Sequence, residues 1–262
     1  MEPSVVTGLL RAPQRWSVTH IGQTGSTNAD LASGSRVPHG RVLVTEEQVA
    51  GRGRSGRDWF CPPGAGLMFS VLLRLPGIPA DRRGWIGAVL GLATVRTLDG
   101  IGIAARLKWP NDVLVDGRKC AGILGEVAGN ALVIGTGINV SLVPDELPRP
   151  DAISLWLSAP ADTGGVVLDR NALLAGILDN FGDLLDRWIA AHGDVDASGL
   201  RVEYLRACDT IGARVRLQLP GGAAVLAEAV DVAADGSLIV VDDAGRRATY
   251  SAADVVHLRP GS

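Results

Sequence analysis

The 262-residue sequence has few cysteines, no long apolar run and little net charge, and each shortage closes off a class of protein. Its 3 cysteines, Cys61, Cys120 and Cys208, are odd in number and form no C-x-x-C pair. They read as reduced thiols, which excludes a disulfide scaffold and points to the cytoplasm. The longest apolar stretch, residues 84–95, is too short to span a bilayer and reads as a buried helix. Residues 1–20 lack the charged-then-apolar order of a signal peptide. A net charge of -3 supplies no global field toward nucleic acid or membrane. The 4 histidines, His20, His39, His192 and His257, have no zinc-ligand spacing. No G-x-x-x-x-G-K-[ST] loop and no G-x-S-x-G elbow is present. What remains is a folded chain, 47% hydrophobic and 20% charged, long enough for one large domain and one small one.

Strands are expected over residues 16–21, 41–48, 67–75 and 131–140, with Gly135 and Gly137 interrupting the last and marking close approach of a ligand or backbone. Ser26 or Thr27 is placed to cap a short helix over residues 28–33. Residues 82–98 read as an apolar helix, and residues 171–191 carry apolar positions at helical spacing. Residues 106–126 hold two strand-like runs joined by Asp116-Gly117, a tight-hairpin dipeptide. A short helix over residues 199–207 ends the main domain. Five short alternating runs follow, over residues 214–219, 223–232, 237–241, 246–250 and 254–258. Turn signals at Pro220-Gly221, Asp235-Gly236 and Ala244-Gly245 separate them, and the pattern predicts a small SH3-like barrel with its boundary near Asp209.

The glycine-arginine run Gly51-Arg-Gly-Arg-Ser-Gly-Arg57 follows a strand and formally matches G-x-G-x-x-G. A dinucleotide fingerprint must open a helix, and Pro62-Pro63 forbids one here. A solvated basic loop or a nucleic-acid tract is a second reading, but Glu46 and Glu47 adjoin the run and it lacks aromatics interleaved for base stacking. The third reading is an anion-binding loop, in which Arg52, Arg54 and Arg57 close over a phosphate ester and exclude water. Lys108-Trp-Pro-Asn-Asp112 reads as a strand-to-turn junction, and Lys119 follows the hairpin beside Gly122.

In order along the chain, Ser26-Thr-Asn28, Gln48 ahead of Gly51, G-R-G-R-x-G-R, K-W-P-N-D, R-K-x-A-G-I-L and G-x-G-I-N ending at Asn139 resemble the biotin protein ligases. The resemblance implies an α+β fold. A mixed sheet flanked by helices, like the class II aminoacyl-tRNA synthetases, would form a catalytic domain over residues 1–208. An SH3-like β-barrel would follow over residues 209–262. It implies ATP-dependent formation of biotinyl-5′-AMP with Mg²⁺, and transfer of biotin to a lysine on the biotin carboxyl carrier domain of a biotin-dependent carboxylase. By resemblance, biotin meets Ser26, Thr27, Asn28, Gln48, Gly51, Arg52, Gly53, Arg54, Lys119, Gly122 and Gly137. The nucleotide meets Arg54, Arg57, Trp59, Asn111, Lys119 and Asn139. Lys119, Arg54 and Asp112 serve catalysis, and Asp112 is also the candidate metal ligand. The full arginine loop and Gln48 disfavour a lipoate- or octanoate-handling relative. A nucleic-acid-binding regulator is motivated by the arginines alone. About twenty-five residues precede Ser26, too few for the winged helix some members carry, so no DNA partner is expected. A biotin-binding module without chemistry would leave Lys119, Asn111 and Asn139 without a task.

Overall fold

A computed structural model of the chain describes residues 1–34, 37–158, 169–219, 222–251 and 253–258. The runs rich in Val, Ile and Leu form a seven-stranded sheet. Its spatial order is β1 (Ser17–Thr24), β2 (Arg41–Gln48), β3 (Gly66–Leu73), β7 (Ala131–Asn139), β6 (Arg118–Ala128), β5 (Asp112–Val115) and β4 (Ala105–Lys108). β1 and β2 run parallel and every other neighbouring pair is antiparallel, so the sheet is mixed. The parallel pair needs a crossover, supplied by helix α2 (Thr27–Ser33).

Period-2 alternation divides each strand between two faces. Leu67, Phe69, Val71 and Leu73 of β3 point to a large core shared with α3 (Ile86–Gly100) and α5 (Arg170–Ala190). Leu72 points the other way, where it meets Leu31 of α2. Trp85, Trp188, Phe69 and Phe181 are fully buried in that core. Each such side chain contributes roughly 1.5–3 kcal/mol. Helix α1 (Pro3–Leu9) packs on α5, and α4 (Leu155–Ser158) and α6 (Leu200–Ala207) complete the helices. Among the described residues no helix is long and apolar enough to cross a membrane.

The C-terminal segment forms a separate antiparallel sheet in the order β11 (Arg247–Tyr250), β10 (Leu238–Val241), β9 (Ala224–Val232), β8 (Arg214–Gln218) and β12 (Asp254–His257). Two indoles bolt it to the main sheet: Trp85 Nε1 donates to the Ala233 carbonyl and Trp109 Nε1 to the Gly236 carbonyl, each at 3.0 Å. Gly84 is required at this joint because a β-carbon there would overlap the Asp235 carbonyl. The apolar faces of both sheets merge into one core.

Several elements differ from the sequence expectation. The first strand runs on to Thr24, because the parallel ladder continues as far as Gln48. Residues 80–85 are 3₁₀ and α3 begins only at Ile86, since Gly84 and Trp85 are held against the C-terminal sheet. Residues 105–128 form three strands, not two, because Lys108-Trp-Pro-Asn-Asp112 is itself a hairpin that pairs Lys108 with Asp112. Its Trp109–Pro110 bond is cis. Asp116 and Gly117 both take the positive φ that the hairpin reading requires (51° and 69°). The Pro220-Gly221 turn lies outside the described residues.

Candidate active site

Alternation along β7 sends Ile134 and Ile138 into the core and turns Gly135 and Gly137 to the opposite face, where Gly122 of β6 pairs with Gly137. Three glycines therefore line the floor of a cavity of about 950 Å³. A β-carbon at Gly135 would overlap Asn28 Oδ1, and one at Gly137 would overlap the Trp59 indole. At Gly122 it would lie 3.2 Å from Trp59 Cζ3 and 3.3 Å from Lys119 Nζ. In this conformation the slot between Gly122 and Gly137 is filled by Trp59, whose Nε1 is buried with no hydrogen-bond partner among the described residues.

One end of the cavity is a buried polar cluster built by the first turn of α2. Ser26 caps the helix, its Oγ accepting from the Ala29 N–H. Thr27 donates from N and from Oγ1 to Gln48 Oε1, at 2.9 and 3.1 Å. Thr27 Oγ1 lies 2.7 Å from Ser70 Oγ, which donates to Asn28 Oδ1 at 2.6 Å. Asn28 Nδ2 donates to Glu126 Oε2 at 2.7 Å. The chain of bonds fixes each group before any ligand arrives.

The loop after β2 is a compact hairpin rather than an open strap. Gly53 N–H donates to the Arg57 carbonyl at 2.7 Å and Trp59 N–H to the Gly51 carbonyl at 2.9 Å. Arg52, Gly53, Arg54, Arg57 and Trp59 line the cavity, whereas Gly51 lies behind it, where a β-carbon would overlap the Trp59 carbonyl. Arg57 forms an ion pair with Asp254 of β12. Burial lowers the Arg54 pKa from its ordinary value, against the pull of Asp254 and Asp112.

A register shift between β5 and β6 leaves Cys120 without a ladder partner, while the adjacent Lys119 pairs with Leu114. On its other edge the Lys119 backbone is stitched to residues 151–153: Lys119 N–H donates to the Asp151 carbonyl at 2.8 Å, and Ile153 N–H to the Lys119 carbonyl at 2.9 Å. The side chain turns into the cavity, where Nζ lies 2.5 Å from Asp112 Oδ1 and 5.9 Å from the centre of a Trp59 ring. Asn111 Nδ2 donates to the Ile123 carbonyl at 2.9 Å, and Asn139 Nδ2 to the Ile153 carbonyl at 3.1 Å. Asn139 Oδ1 is buried without a partner among the described residues. No group of three or more His, Cys, Asp or Glu that could hold a metal occurs among the described residues. Burial pushes the Cys61 and Cys120 thiols up to about 12, which makes them inert.

Residues 19–142 match the Biotin/lipoate A/B protein ligase family, and residues 210–258 match the Biotin protein ligase C terminal domain. The chain is 40% identical to the biotin–[acetyl-CoA-carboxylase] ligase of Mycobacterium tuberculosis, across 98% of this chain and 96% of that protein. The chain belongs to the biotin protein ligase family. It is 29% identical to the bifunctional ligase/repressor BirA of Bacillus subtilis, across 88% of this chain and 70% of that protein. The structure of the biotin protein ligase from Aquifex aeolicus in complex with biotin and ATP aligns with a TM-score of 0.76 at 26% identity, covering 93% of this chain and 99% of that one.

In this family member the cavity brings together every site residue expected from sequence except Gly51. It also includes residues that sequence reasoning missed. Ser70 lines it within the polar cluster, with Glu126 outside the lining accepting from Asn28, and a serine inside the apolar run of β3 was the available signal. Lys108, Arg149, Asp254 and His257 line the opposite end, and the last two come from the C-terminal sheet.

Proposed function

We propose that the chain is an ATP-dependent ligase that forms biotinyl-5′-AMP from biotin and ATP. It then transfers biotin to a specific lysine of the biotin carboxyl carrier domain of a carboxylase. The observation that carries this reading is the Lys119–Asp112 pair, set between a hydroxyl-amide cluster and an arginine loop in one cavity.

Biotin's ureido group is a planar urea with two donors and one acceptor. Ser26, Thr27, Asn28, Gln48 and Arg52, with backbone at Gly51, Gly53 and Arg54, offer the partners it needs. Gly122 and Gly137 leave room for the ring and its chain once Trp59 turns outward, which frees the indole to cover the adenine. A carboxylate oxygen of biotin then attacks the α-phosphorus. The bond from that phosphorus to the bridging oxygen breaks, and pyrophosphate leaves with the electron pair. Lys119 neutralises the growing negative charge, with Arg54 and Arg57 closing from above. Asn111 and Asn139 frame the nucleotide.

In the second step the acceptor lysine amine attacks the acyl carbon, AMP leaves with the bonding pair, and Asp112 is placed to take the amine proton. Magnesium belongs with the triphosphate in this reading, where it neutralises charge, and Asp112 is the carboxylate assigned to it. Residues 1–208 are assigned to catalysis. Residues 209–262 are assigned to completing the nucleotide end and docking the acceptor, which the cavity position of Asp254 and His257 supports. Three buried free thiols support a cytoplasmic setting.

The test is incubation with labelled ATP and biotin, lipoate or octanoate, followed by addition of a carrier domain. Pyrophosphate release and labelling of the carrier that depend on biotin are expected. Release with only lipoate or octanoate would overturn the assignment.

A further inference from the structure

Glu126 is a half-buried carboxylate on β6 with no ion pair among the described residues. It lies outside the cavity lining, two residues beyond Leu124 on the face that carries Gly122. Its side chain is engaged by Asn28, whose Nδ2 donates to Oε2 at 2.7 Å. The second Asn28 amide proton goes to the Leu124 carbonyl at 3.2 Å. Carboxylate and carbonyl oxygens accept and do not donate. The Asn28 amide nitrogen must therefore face β6, which turns Oδ1 toward Ser70 of β3.

From there the protons of the cluster run one way. Oδ1 only accepts, so the Ser70 hydroxyl donates to it at 2.6 Å. With its own proton spent, Ser70 Oγ accepts from Thr27 Oγ1 across 2.7 Å. That Thr27 proton is shared with Gln48 Oε1 at 3.1 Å, which also takes the Thr27 N–H at 2.9 Å. Thr27, Asn28 and Ser70 are at most 5% exposed, so these partners and not bulk water set the order. The result is a directed chain from Thr27 through Ser70 and Asn28 to Glu126, with every proton pointing away from the cavity. Toward the cavity, Thr27 Oγ1 is left with lone pairs. It accepts from a ligand N–H and has no proton for a ligand carbonyl.

We propose that Glu126 is a positioning residue for ring recognition: acting through Asn28 and Ser70, it fixes Thr27 Oγ1 as a proton acceptor. The assignment rests on the ligase reading, in which the ureido N–H groups of biotin reach this end of the cavity. Without an acceptor at position 126 the Asn28 amide is free to turn over. Nδ2 then donates to Ser70, the Ser70 proton passes to Thr27, and the Thr27 proton is released to point at a ligand N–H, donor against donor. The fraction of molecules in this reversed order is lost to biotin binding. The competing role for Glu126 is a plain tie between α2 and the sheet. Such a tie would act on biotin and ATP alike and would not depend on the Thr27 hydroxyl.

The test uses the full chain and biotin itself as the probe. The biotin Kd is measured by calorimetry, with the KM for ATP in adenylate formation measured in parallel. The proteins are the wild type, Glu126→Leu, Glu126→Gln, Ser70→Ala, Thr27→Val and the two doubles that join Thr27→Val to Glu126→Leu or to Ser70→Ala. Glu126→Leu is expected to weaken biotin binding about tenfold, the scale of a buried hydrogen bond left unmade, and Ser70→Ala severalfold. The KM for ATP should move far less in both. Glu126→Gln keeps an acceptor for Asn28 and should recover most of the loss. In the Thr27→Val background no hydroxyl remains to be oriented, so either second substitution should add little. An undiminished loss in that background would overturn the proposal, because it marks a structural tie. So would wild-type biotin affinity in Glu126→Leu, or a Glu126→Gln variant as weak as Glu126→Leu. Should Glu126→Leu fail to fold, the Ser70→Ala cycle decides by the same criterion. A wild type that binds no biotin would instead overturn the ligase reading beneath it.

Discussion

The indole of Trp59 stands directly over Gly137, in the place a β-carbon at residue 137 would take. The side chain belongs to the arginine loop, so a ligand that enters the glycine slot displaces the loop's own aromatic anchor. Trp16, Trp85 and Trp188 are at most 4% exposed in the core, Trp109 lines the cavity but is buried and held by the Gly236 carbonyl, and Trp156 lies outside the cavity lining. Biotin is therefore expected to shift tryptophan emission, and Trp59→Phe should abolish most of that shift. A full shift in the variant would show that Trp59 stays in place when biotin binds.

Gly137→Ala tests the same contact from the sheet side. The added methyl overlaps the indole and should expel it, giving red-shifted emission without biotin. It also narrows the floor, and biotin affinity is expected to fall about tenfold, near 1.4 kcal/mol. Wild-type affinity measured by calorimetry would mean that biotin does not use this floor.

Much of this was legible in the sequence wherever the chemistry is local. Asp116-Gly117 fixes its hairpin by turn sterics, Gly135 and Gly137 announce a close approach, and the arginine run cannot open a helix ahead of Pro62-Pro63. What escaped depends on distant contacts. The paired nature of Lys108 and Asp112 appears only when the hairpin closes, and helix α1 owes its existence to α5 rather than to its own short sequence. Asp254 and His257 have no local signal, since their meaning comes from where the C-terminal sheet is bolted.

Glu46, two residues before Gln48, accepts from the Met1 ammonium at 2.7 Å and from Arg170 at 2.5 Å. Burial acts to raise its pKa, but these two cations override it and hold the carboxyl at about 2. An unfolded glutamate titrates near ~4.3. The folded pKa is the lower one, so the stabilisation is complete above the unfolded value and is lost as pH falls from there toward about 2. Glu46→Gln should lower stability at neutral pH and flatten the acid limb of the stability curve between these values. Chemical denaturation across that window checks it, and parallel curves for both proteins would refute it.

The Arg57–Asp254 ion pair joins the loop to the C-terminal sheet on a solvent-accessible surface. Exposed pairs contribute about 1 kcal/mol or less, so Asp254→Asn should leave the melting temperature nearly unchanged. Its effect is expected on the loop. Hydrogen exchange at residues 53–59 should quicken, and bound biotinyl-5′-AMP should escape sooner. Unchanged exchange in that segment would show that the pair does not hold the loop.

Lys119 and Asp112 are expected to fail together rather than independently, because they are half-buried and 2.5 Å apart. Lys119→Ala removes the cation that meets the α-phosphate and should slow adenylate formation about a hundredfold or more. It also strands the Asp112 carboxylate, adding negative charge where a triphosphate must bind. Asp112→Asn leaves Lys119 charged but unanchored, so adenylation should fall less, while transfer to the acceptor lysine loses its proton acceptor. The double variant should then be no worse in adenylation than Lys119→Ala alone, since the repelling carboxylate is gone with the lysine. Pre-steady-state adenylation rates for the four proteins give the coupling directly. Strict additivity would mean the two side chains act separately, and their pairing would have no part in the first half-reaction.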